Sequence, residues 1–145
     1  MKKGSTLVES IVALAILLIA TTISLNIGIV AANSKKIRDK KNEANRIAYA
    51  IENEIKYNTT FENLTKSFKD NKLSYIYSDD TLENLVNTSV LNLEVGDGIE
   101  IEKVKEILAS EDENRPVIEL KVKIKDDDGG ILCERKFLKS YWMEK

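Results

Sequence analysis

Residues 10–34 carry no charge over 25 consecutive positions, and Ile, Leu, Val and Ala dominate them. An α-helix rises 1.5 Å per residue, so about 20 apolar residues span the ~30 Å hydrocarbon layer of a bilayer, and this run is long enough to do so. The helical period continues past it. Ile37, Ala44, Ile47, Ala48, Ile51 and Ile55 recur at spacings of three, four and seven, which places them on one stripe, with Arg46, Glu52, Asn53 and Lys56 assigned to other faces. No proline or glycine interrupts residues 33–57. One helix over residues 5–57 is therefore expected, about 80 Å long, its later half serving as the spine on which the remaining chain folds.

Beyond the spine the pattern shortens. Asn58, Thr59 and Thr60 offer an N-cap for a short helix over 61–68 with Phe61, Leu64 and Phe68 on one face, and residues 73–77 alternate as a short strand. Asp79, Asp80 and Thr81 open a second short helix through Leu82, Leu85 and Val86. The last third reads as an antiparallel meander. Residues 99–108 place Ile99, Ile101 and Val104 inward; 117–125 set Ile118, Leu120, Val122 and Ile124 against Glu119, Lys121, Lys123 and Lys125; 131–141 form the third strand. Residues 111–116 and the Asp126-Asp127-Asp128-Gly129-Gly130 run supply the turns. The expected class is α+β: a long N-terminal helix, a mixed segment over 58–98 and an antiparallel sheet over 99–145, one apolar face of which the spine covers.

Charge is unevenly distributed along the 145 residues. Residues 35–41 hold five basic side chains against Asp39, whereas residues 42–145 hold 15 basic against 22 acidic, a balance of minus seven. So acidic a domain is a poor ligand for nucleic acid, whose phosphates require Lys and Arg, and no direct nucleic-acid contact is expected. Histidine is absent, which removes Ser-His-Asp triads and His-ligated metals, and no glycine-rich phosphate loop occurs, so no catalytic residue and no cofactor is expected. Cys133 is the only cysteine; it cannot form an intramolecular disulfide and reads as a small buried hydrophobe. Asp126, Asp127 and Asp128 could contact calcium, but they lack the spaced ligands of an EF-hand, and a solvated hairpin turn is the favoured reading.

Glu9 sits at the near edge of the apolar run, where an ionised carboxylate costs about 2–3 kcal/mol or more unless it snorkels or finds a partner. With Lys3, Gly4, Thr6 and Leu7 before it and Val12-Ala13-Leu14-Ala15-Ile16-Leu17 after it, this region resembles the leader and first helix of type IV pilins and pseudopilins. The resemblance covers about 30 positions; the rest of the chain carries no comparable motif. It implies a leader, residues 1–4, with Lys2 and Lys3 as its charges, cleavage by a prepilin peptidase between Gly4 and Ser5, N-methylation of Ser5, and Glu9 as the fifth residue of the mature chain acting in assembly. Ser5 stands where the family usually has phenylalanine, and no helix-bending proline occurs near Thr21 to Gly28, where Asn26 and Gly28 are candidates for a weaker break. These departures point to a minor pilin or pseudopilin.

The family pattern implies division into a leader (1–4), a transmembrane and filament-core helix (5–34), its amphipathic continuation (35–57), a variable segment (58–98) and a β-meander (99–145). It also implies partners: the peptidase, other pilin subunits, the inner-membrane assembly machinery, and the membrane itself before assembly. The chain would first cross the cytoplasmic membrane once with its C-terminal domain outside, then join a cell-surface filament. Two alternatives stay open. One is a membrane-anchored extracellular binding module; the other is a secreted protein cut after Val30-Ala31-Ala32, against which Glu9 speaks. Charge counting opposes the implied topology, because Lys35, Lys36, Arg38, Lys40 and Lys41 outnumber Lys2 and Lys3 and by themselves favour a cytoplasmic domain.

Overall fold

The computed structural model describes residues 3–107 and 116–143, with side chains from residue 7 onward in the first helix. The chain is α+β. Helix α1, Lys3–Asn53, ends in one π-helical turn, Glu54–Asn58, in which the Thr59 amide reaches back to the Glu54 carbonyl. Helix α2, Phe61–Ser67, follows, capped by the Thr60 hydroxyl on the Asn63 amide. Strand β1 is Lys72–Ile76, helix α3 Thr81–Asn87, and strands β2, β3 and β4 are Gly98–Ile107, Val117–Lys125 and Ile131–Ser140. Two compact units divide the chain, Met1–Asp39 and Lys40–Lys145.

Within the second unit the four strands form one antiparallel sheet in the order β1-β2-β3-β4. β1 thus belongs to the same sheet as the meander: Leu73 pairs with Ile101 and Tyr75 with Ile99. Asp70 and Asn71, with φ of 52° and 62°, make the tight turn that aims it there, and Lys69 and Lys72 exchange backbone hydrogen bonds across them. Both central residues in the left-handed region is the type I′ signature, which Asp and Asn tolerate. β3 spans the expected residues, with Ile118, Leu120, Val122 and Ile124 fully buried.

The inner sheet face closes on the later turns of α1. Ala44, Ile47, Ala48, Ile51 and Ile55 are fully buried against Ile99, Ile101, the β3 set, Cys133 and Phe137, while Leu64 of α2, Leu85 of α3 and Val90 close the remaining side. Full burial of each Ile or Leu side chain stabilises by about 1.5–3 kcal/mol, so this layer dominates the domain's cohesion.

Several expectations are corrected. Ile37 is 55% exposed, because the covered stripe begins only at Ala44. Val104 is exposed, since a register shift between Lys103 and Lys105 interrupts the alternation of β2. Val86 points outward at 81% exposure, while α3 buries Leu85, as expected, together with Thr81. Tyr141 lies past the end of β4, in a 3₁₀ turn, Tyr141–Met143. Asn26 and Gly28 introduce no break, and α1 runs through both. Turn residues 111–115 lie outside the described residues.

Candidate functional site

The chemistry expected from sequence lies on the early turns of α1. From Leu7 to Val30 the large apolar side chains are half exposed or more, and the most apolar 18-residue window has a mean hydropathy of 2.3 with none of it buried. α1 is therefore long and apolar enough to cross a membrane. Its polar side chains are accommodated locally. Thr21 donates to the Leu17 and Leu18 carbonyls, Thr22 to those of Leu18 and Ile19, and Ser24 to that of Ala20, so each hydroxyl is satisfied within the helix, as an apolar surrounding demands. Glu9 lies on this stretch and is exposed. Gly4 and Ser5 fall in the first turn of α1, and Lys3 begins it; Lys2 lies outside the described residues.

The basic run that follows is not uniform. Lys35, Lys36 and Arg38 are exposed and, among the described residues, enter no ion pair. In the domain, Lys40 donates to Asp126 at 2.8 Å, and that hydrogen bond raises its pKa above 10.5 against the opposing effect of desolvation. Asp126 also accepts the Asp127 amide at 3.0 Å, and Gly129, at a φ of +77°, donates to its carbonyl to close the β3–β4 turn. Asp126, Asp127 and Asp128, for which calcium is the less favoured reading, lie in this turn, and Asp126 and Asp127 line a cleft with Tyr77, Asp97 and Lys125. Among the described residues no three Asp, Glu, Cys or His side chains gather where they could hold a metal ion.

Sequence reasoning missed a set of polar contacts that tie the spine to β4. The Cys133 thiol donates to Asn45 Oδ1 at 3.0 Å, and burial pushes its pKa up. Glu52 is buried on the packed face of α1, not on an outer one, and accepts from both Arg135 and Lys56. Burial alone would raise its pKa, but those two cations hold it below 4.5. Arg135 also lies over the Tyr49 ring and Lys56 over that of Phe137. Lys139 is fully buried and donates to the Lys56 carbonyl at 2.9 Å, which caps an acceptor that the ending helix leaves over. The only sequence signal for these was the parity of β4, which puts Arg135 and Lys139 on the same face as Cys133 and Phe137.

On the outer sheet face two carboxylates each gather two lysines. Glu100 takes Lys125 at 3.0 Å and Lys72 at 3.5 Å, and Glu102 takes Lys121 at 2.8 Å and Lys123 at 3.6 Å. These lysines, led by the direct hydrogen bonds from Lys125 and Lys121, depress both carboxyl pKa values.

No family model, curated protein or solved structure matches the chain.

What the arrangement offers is contact chemistry. An apolar helix exposed on all faces suits lipid or the apolar faces of other helices, since water solvates it poorly. A carboxylate near its start and unpaired cations after its end mark the two limits of that apolar stretch.

Proposed function

We propose that the chain is a structural subunit, a minor pilin or pseudopilin, of a type IV pilus or a related secretion or competence pseudopilus. The observation that carries this reading is α1 itself: one helix bears a Gly4-Ser5 junction and Glu9 at its start, an uncovered apolar stretch next, and the core stripe of an antiparallel domain at its end. A prepilin peptidase cuts between Gly4 and Ser5. The subunit waits in the cytoplasmic membrane as a single-pass protein with its domain outside, and then leaves the bilayer to bundle its apolar helix with those of other subunits. In the bundle the Glu9 carboxylate pairs with the Ser5 amino group of a neighbour, an amine that exists only after cleavage. Pairing in a low-dielectric core fixes helix register, because one unmatched charge there is costly.

Glu9→Ala tests the assembly role. The variant is expected to be cleaved normally and to enter filaments poorly; incorporation equal to that of the unaltered chain would contradict it.

A further inference from the structure

The geometry points to Lys35, Lys36 and Arg38 as a collar that binds anionic lipid headgroups while α1 spans a bilayer. The inference rests on the membrane stage of the proposed function and adds a partner to it. The collar begins directly after the uncharged residues 10–34. At 100° per residue its three side chains point to three separate directions around the helix, and they occupy about 4.5 Å of its length. A headgroup layer is about 5–7 Å deep, so all three cations fit within one layer and each faces different lipids. Their charge is also uncommitted: all three are exposed and, among the described residues, form no ion pair, whereas Lys40 is held by Asp126 and Lys72, Lys121, Lys123 and Lys125 by Glu100 and Glu102.

The collar also sets depth. Lys35 lies 26 residues after Glu9, about 39 Å along a helix, and a bilayer measures about 40–45 Å between the outer limits of its headgroup layers. Seating the collar in one layer brings Glu9 to the other, where its carboxylate is solvated. Glu9 then meets a low-dielectric surrounding only when the helix leaves the membrane.

The test uses the full chain reconstituted in phosphatidylcholine bilayers carrying a trace of spin-labelled phosphatidylglycerol or spin-labelled phosphatidylcholine. The immobilised fraction of each label reports its association with the protein. Phosphatidylglycerol is expected to associate about fivefold more strongly, the value of one lipid charge against one Lys or Arg. The preference should vanish in a Lys35→Gln, Lys36→Gln, Arg38→Gln variant and at about 1 M salt, and persist in a Lys69→Gln, Lys136→Gln variant that loses exposed cations of the domain. Equal association of the two lipids, or a preference that survives removal of the collar, would overturn the inference. Absence of any immobilised lipid would show that α1 is not in the bilayer, which overturns the membrane stage itself and the inference with it.

Discussion

Glu52 of α1 and Arg135 of β4 are joined by a hydrogen-bonded ion pair at the packed face between spine and sheet, with Lys56 completing the site at 2.6 Å. Glu52 keeps 10% of its side chain exposed and Arg135 39%. Losing one partner of a fully buried pair costs about 3–5 kcal/mol, and partial solvent access to Arg135 reduces that here. Glu52→Ala is expected to lower unfolding free energy by about 1–3 kcal/mol, measured by urea denaturation of the full chain in detergent.

Carboxylates on both faces of the sheet set an acid limit. Glu52, Glu100 and Glu102 all have pKa values depressed below 4.5 in the folded chain. A depressed carboxyl binds fewer protons folded than unfolded, so its stabilisation is complete above 4.5 and is lost as pH falls through the lower folded value. Denaturation midpoints should therefore be level from pH 7 to about 5 and decline below 4.5. Glu52→Gln should start from a lower midpoint and decline less steeply; an identical slope would remove Glu52 from this role.

Gly98 and Gly129 both adopt positive φ, yet they should respond differently to alanine. A Cβ on Gly98 would meet the Tyr77 backbone nitrogen at 2.9 Å and Tyr77 Cβ at 2.7 Å, whereas one on Gly129 meets nothing within 4 Å. Gly129→Ala carries backbone strain alone, about 1–2 kcal/mol. Gly98→Ala adds an overlap that backbone atoms cannot relieve, for a total of about 2–5 kcal/mol. Parallel denaturation of the two variants checks the order.

Cys133 is 7% exposed and its thiol is held against Asn45, with burial raising its pKa above 9.0. Thiolate is the reactive form. Native protein at pH 8 should therefore react with an aromatic disulfide reagent at least about tenfold more slowly than the urea-unfolded chain. Equal rates would place the thiol at the surface.

Much of the domain was legible because strand alternation and helical period report burial directly. β3 has one apolar face and one charged face, and its bounds are those its alternation sets. The polar ties to the spine were not legible, because an apolar stripe counts Glu52 as an outer residue and nothing local identifies Arg135, eighty-three positions later, as its partner. Lys139 illustrates the same limit: parity places it inward, but only the Lys56 carbonyl, exposed by the ending helix, explains why a lysine stands there. The place of β1 in the sheet depended on the Asp70-Asn71 turn, a two-residue signal within a polar stretch. At the candidate site the apolar run and Glu9 were visible as pattern, while the separation of Lys40 from Lys35, Lys36 and Arg38 required knowing where Asp126 lies.

The assembly role rests on a new amino terminus, and the most direct measurement is the N-terminal residue and intact mass of the protein recovered from its native cells. A chain that begins at Ser5, with or without one added methyl group, is the expected result and makes the Ser5 amine available to Glu9 of another subunit. A chain that retains Met1, or one that begins at Asn33 after loss of the apolar stretch, would contradict prepilin processing and with it filament assembly through α1.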